Sequence, residues 1–190
     1  GRKSALGSPE NQLLFILFYL KNYPTYDVLA FTFNISRGCA FESVQRLLPI
    51  LKHTQKNLKV LPKRTTDDPQ ELLQIIESVD HILIDATERP IQRPQKPARQ
   101  KKHYSGKKGF HTVKNTTVSD TKKRILILGE TVPGSQHDYS LFKEEFDPKI
   151  DWFASTEAST DLGYQGIKTD YLSPEHIHIP HKKPRKSKKN

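Results

Sequence analysis

The sequence predicts an α/β domain with a mixed sheet, preceded by a small all-helical domain. Three observations point there. Apolar residues recur at helical spacing through residues 9–54. A short apolar run, Ile82, Leu83 and Ile84, breaks at a carboxylate, Asp85. Beyond it, stretches rich in Thr and Val alternate with turn residues and one further helix. An Asp at the end of a core strand is costly without a partner, because carboxylates are seldom buried unpaired. Such a residue caps a turn, pairs with a base or holds a metal.

Taken in order, Pro9 opens a helix on which Leu13, Leu14, Ile16, Leu17 and Leu20 follow the helical repeat, and Pro24 ends it. Tyr26 to Phe33 makes a second short helix and Asn34-Ile35 a turn. Ser36 is the N-cap of a third helix running through Val44, Leu47 and Leu48 towards Leu51. With polar Arg37, Glu42, Ser43, Gln45 and Arg46 on the third helix, the set is a helix-turn-helix candidate; an ordinary three-helix bundle fits the same pattern. The polar, proline-containing stretch from Asn57 to Pro69 marks a domain boundary, and Glu71 to Ser78 forms a short helix leading to the Asp85 strand.

Arg89 to Gly106 reads as a basic loop in which Pro90, Pro94 and Pro97 exclude a regular helix. Lys107 to Val118 and Arg124 to Leu128 are strands of a hairpin, turning at Ser119-Asp120-Thr121. Pro133-Gly134 breaks the chain, and Ser135 opens a helix through Leu141 and Phe142. Asp138 stands where it completes a capping box or complements the helix dipole. Trp152 to Thr160 reads as a strand ending at Asp161, before the loop Leu162-Gly163-Tyr164-Gln165-Gly166, and Ile177 to Pro180 as the last strand. The expected domains are a helix-turn-helix domain over 1–56, a linker and short helix over 57–78, the α/β domain over 79–180 and a basic tail over 181–190.

Composition narrows the function. The single cysteine, Cys39, excludes an intramolecular disulfide and a Cys-cluster metal site, and reads as a small core hydrophobe. The apolar run Leu13 to Leu20 is too short to span a bilayer, meets Lys21 at once and lacks a cleavage site, so no membrane partner and a cytoplasmic location are expected. The net charge of +10 is concentrated. Ile91 to Lys108 carries Arg93, Lys96, Arg99, Lys101, Lys102, Lys107 and Lys108 with no acid, and His181 to Asn190 is equally one-sided; the remainder is slightly acidic. Two basic patches point to a polyanion such as nucleic acid, although a solvated tail explains the last ten residues as well. The absence of Met suggests a fragment.

Two carboxylates ending core strands that can lie side by side suit a pair of hard divalent cations, which prefer oxygen ligands and activate phosphoryl transfer. At these residues the sequence resembles a known family. Ile84-Asp85-Ala86-Thr87-Glu88-Arg89-Pro90-Ile91, Tyr104-Ser105-Gly106-Lys107-Lys108, Pro133-Gly134-Ser135-Gln136-His137-Asp138 and Asp161-Leu162-Gly163-Tyr164-Gln165-Gly166 look like successive blocks of bacterial insertion-sequence transposases of the IS5 type. Leu13 to Gly38 is similar to their helix-turn-helix.

The resemblance implies an RNase H-like mixed sheet with flanking helices and a DDE triad binding two Mg²⁺ or Mn²⁺ ions. Asp85 matches the first acid. Asp161 is favoured for the second, with Asp138 a lesser candidate. The helix carrying the third acid would follow His181 to Asn190, and Glu175 stands too early to serve. The expected function is therefore that of a transposase fragment lacking one acid, which cleaves and transfers DNA strands in its complete form. A non-catalytic DNA-binding protein or repressor is the alternative. Arg37, Ser43 and Arg46 would contact the element's ends, and Arg93, Lys101, Lys102, Lys107 and Lys108 the DNA backbone. Double-stranded DNA, both element ends and target, is the expected partner, with a homo-oligomer possible.

Overall fold

In the computed structural model, which describes residues 4–182, hydroxyl N-caps set all three helices of the amino-terminal unit. Ser8 accepts from the Asn11 amide to start α1 (Pro9–Asn22), Thr25 from Val28 to start α2 (Tyr26–Phe33), and Ser36 from Cys39 to start α3 (Arg37–Asn57). Asn34 takes the left-handed conformation (φ 51°), which ends α2 and turns the chain into α3. The core of this unit is Phe15, Ile16, Tyr19, Leu29, Ala30, Ala40, Val44 and Leu47, with Phe33 edge-on to Phe15 at 4.9 Å. Leu13, Leu14, Leu17 and Leu20 stay exposed, so the buried stripe of α1 is narrower than its apolar content. Cys39 is only partly buried. The third helix runs past Leu51 and through Pro49, because Pro49 and Gln45 are both exposed and water can solvate the carbonyl that Pro49 leaves free.

The chain divides into two compact units after Leu61. The second is built on one sheet: β1 (Lys63–Arg64), β2 (His81–Pro90), β3 (Tyr104–Ser105), β4 (Phe110–Asp120), β5 (Ile125–Leu128), β6 (Val132–Pro133), β7 (Glu157–Thr160) and β8 (Ile177–His178). The order is β1-β5-β4-β2-β7-β8, with β3 and β6 paired to β4. β2 runs antiparallel to β4 and parallel to β7, which in turn runs parallel to β8. A hairpin partner on one side of the first long strand and parallel crossover strands on the other is the RNase H-like arrangement.

The helices α4 (Pro69–Glu77) and α6 (Asp138–Glu145) pack on one sheet face. There Leu72, Ile76, Phe142 and Phe146 close over Ile82, Ile84, Val118, Ile127 and Ala158. On the other face Leu83 and Ile125 are exposed. Among the described residues no helix is long and apolar enough to cross a membrane.

Several boundaries differ from the sequence reading. β2 does not stop at Asp85 but continues to Pro90, because side chains alternate across a strand and Asp85 falls on the solvent side. The basic loop contains a helix, α5 (Pro97–His103): Pro97 sits at its first position, where no amide hydrogen is needed. β4 starts at Phe110 and runs on through Asp120. The helix expected from Ser135 begins at Asp138, with no side-chain cap; the Ser135 hydroxyl instead donates to the Lys102 carbonyl at 2.6 Å. Trp152 and Phe153 are buried in a turn rather than a strand, the indole N–H donating to the Asp147 carbonyl at 2.9 Å. The last strand is only Ile177–His178, and the tail beyond Lys182 lies outside the described residues.

Candidate functional site

The parallel pairing of β2 and β7 sets Ile84 against Thr160, so the residues that follow, Asp85 and Asp161, come from the carboxyl-side ends of that pairing on neighbouring strands. Both are exposed. Each carboxylate is steadied by a nearby amide: Asp85 Oδ1 accepts from Ala86 N–H at 2.7 Å, and Asp161 Oδ1 from Gly163 N–H at 2.8 Å. The second bond makes Asp161 the N-cap of a single 3₁₀ turn, Leu162–Tyr164. A Cβ on residue 163 would lie 2.9 Å from Asp161 Oδ1, so the glycine permits that close approach.

Tyr164 is fully buried at the end of this turn, its hydroxyl without a partner among the described residues. Burial pushes its pKa up, and the negative charges of Asp138, Asp85, Asp161 and Glu145 push it further.

Asp138 opens α6 and meets Lys114 of β4, Nζ to Oδ1 at 2.6 Å; the ammonium also donates to the Gln136 carbonyl at 2.7 Å. Lys114 is 6% exposed. Its register partner on β2 is Glu88, whose Oε1 accepts from the Thr112 hydroxyl at 2.5 Å. Burial works against ionisation of Glu88, but the Ser105 and Thr112 hydroxyls and the Lys114 and Lys108 charges outweigh it and hold the carboxyl below its ordinary range.

Sequence reading missed Lys114, Glu88 and Tyr164. The period of two along β4 carried a signal: Lys114 falls between Thr112 and Thr116 on the face that Val118 buries.

Two carboxylates with free oxygens suit a hard divalent cation. Among the described residues, however, no group of three or more His, Cys, Asp or Glu side chains is placed to hold a metal ion.

The expected DNA contacts divide. Arg37 and Arg46 are exposed on α3, Arg37 lying 3.5 Å from Asp27, and Arg46 donating to Gln12 Oε1 at 3.2 Å. Ser43 is 5% exposed and lines a cleft on the same unit together with Ser4, Ser36, Glu42 and Arg46. Arg93, Lys101, Lys102, Lys107 and Lys108 are all exposed, on α5, the segment before it and the turn between β3 and β4.

The order is thus a helix-turn-helix unit followed by an RNase H-like sheet. Residues 4–56 match the family described as the helix-turn-helix of DDE superfamily endonuclease, and residues 84–190 match the DDE superfamily endonuclease family itself. The chain belongs to the DDE superfamily endonucleases. It is similar to the probable transposase for insertion sequence element IS702 of Microchaete diplosiphon, with 32% identity over 180 residues. That alignment takes in 94% of this chain and 59% of the relative. No solved structure matches it.

Proposed function

We propose that the chain is the DNA-recognition and two-carboxylate portion of an insertion-sequence transposase of the IS5 type. The observation that carries this reading is the delivery of Asp85 and Asp161 by adjacent parallel strands, each with one oxygen tied locally and the other free. Asp85 and Asp161 would hold Mg²⁺ or Mn²⁺, which when bound supplies Lewis-acid activation for phosphodiester cleavage. Lys114 fixes Asp138 at the start of α6, setting a negative charge near Tyr164 without leaving it free. The cations of α5 and the β3–β4 turn neutralise the DNA backbone, and the Ser135 bond to Lys102 ties α5 to the loop that leads into Asp138. Arg37 and Arg46 read or grip duplex DNA from α3.

Titration of Mn²⁺ into the chain by calorimetry tests the site. Binding is expected in the parent and lost in both Asp85→Asn and Asp161→Asn. Unchanged Mn²⁺ affinity in Asp85→Asn overturns it. A second reading, a non-catalytic DNA-binding protein, is favoured by the lack of a three-donor cluster among the described residues. It predicts DNA binding that survives both Asp substitutions with no Mn²⁺ binding in the parent.

A further inference from the structure

Where α5 passes into β3, a cleft of about 410 Å³ is lined by Arg93, Gln100, Lys101, Tyr104 and His111. That volume lies within the ~300–1,000 Å³ of small-ligand clefts. The lining contains two cations, two aromatic rings and an amide, and no acid. Tyr104 and His111 are register partners across β3 and β4, their rings edge to face at 5.6 Å and 73°. Such a contact covers at most one face of either ring, and Tyr104 remains 47% exposed.

Gln100 braces the wall: its Nε2 donates to the Pro94 carbonyl at 2.8 Å, and its Oε1 accepts from Arg93 Nη2 at 3.1 Å. The guanidinium is thereby held at the cleft with most of its donors unused.

Cations alone would suit a duplex backbone, which offers phosphates but no open base face. An exposed ring flanked by cations has a use only if a base leaves its stack, because stacking on aromatic side chains requires a bare π-face. We infer that this cleft binds an unpaired nucleotide of single-stranded DNA, its base stacked on Tyr104 and its phosphate held by Arg93 and Lys101. The inference rests on the DNA-processing reading above and adds a substrate state to it: a frayed or displaced strand.

The test is fluorescence anisotropy of the full chain with a dye-labelled oligothymidylate and, separately, a duplex of equal length. Tyr104→Leu, which keeps bulk but loses the π-face, is expected to weaken single-strand binding about tenfold. Tyr104→Phe should bind like the parent, and duplex affinity should be the same in all three. Equal losses on single strand and duplex, or no loss in Tyr104→Leu, overturn the inference. If the parent binds duplex but not the oligothymidylate, this inference fails and the reading above stands. If it binds neither, both fail.

Discussion

Lys114 Nζ lies 2.6 Å from Asp138 Oδ1, with side chains 7% and 24% exposed, so a strand in the sheet centre and the first residue of α6 are joined by a largely buried ion pair. Removing one member strands the other. Lys114→Met is expected to destabilise the chain by about 3 kcal/mol, while Lys114→Met combined with Asp138→Leu recovers most of the loss. Urea unfolding of the two variants checks this.

Glu88 makes stability fall in acid. Its carboxyl is held below the unfolded value of about 4.3, so its contribution is present above that value and lost as the pH drops through the folded pKa. Glu88→Gln should therefore be less stable than the parent near neutrality, with the gap narrowing below roughly pH 4. Melting curves of the two proteins across that range give the answer.

The sequence carried the helical unit well because its signals are local. Ser36 and Asn34 act within a few residues of themselves, and both do what their types predict. Asp85 was harder. Reading a charge as the end of a strand assumes that both faces are buried, and β2 is buried on only one. Pro97 looked like an obstacle to a helix and is its first residue. Trp152 and Phe153 were apolar enough for a strand, yet they fill the core from a turn. Lys114 and Asp138 meet only through the tertiary fold, which no window of neighbouring residues reveals. Strand order is what favours Asp161 over Asp138 in the sequence, and β7 ends one residue before Asp161.

Gly134 cannot be replaced cheaply. A Cβ there would stand 1.7 Å from Thr112 Oγ1, the hydroxyl bonded to Glu88. Gly134→Ala should cost about 2–3 kcal/mol, and adding Thr112→Ala should return part of it, as read from denaturation midpoints.

On α3, the exposed guanidinium of Arg46, proposed above as a DNA contact, bonds only Gln12 and Ser4 among the described residues. Arg46→Ala should weaken duplex binding, and if the contact is to a phosphate it should also lower the salt slope by about 1. Affinity measured across a series of salt concentrations separates the two contributions. Thermal unfolding should move little.

The pairing of β2 with β7 sets a timetable as well as a geometry. The amino-terminal unit is made of near-neighbour contacts and is complete once Leu61 has left the ribosome. β2 must then wait for the hairpin, α6 and finally Glu157–Thr160 before Asp161 arrives beside Asp85. On the proposed reading, the recognition unit is folded before the two carboxylates that would hold a cation are brought together.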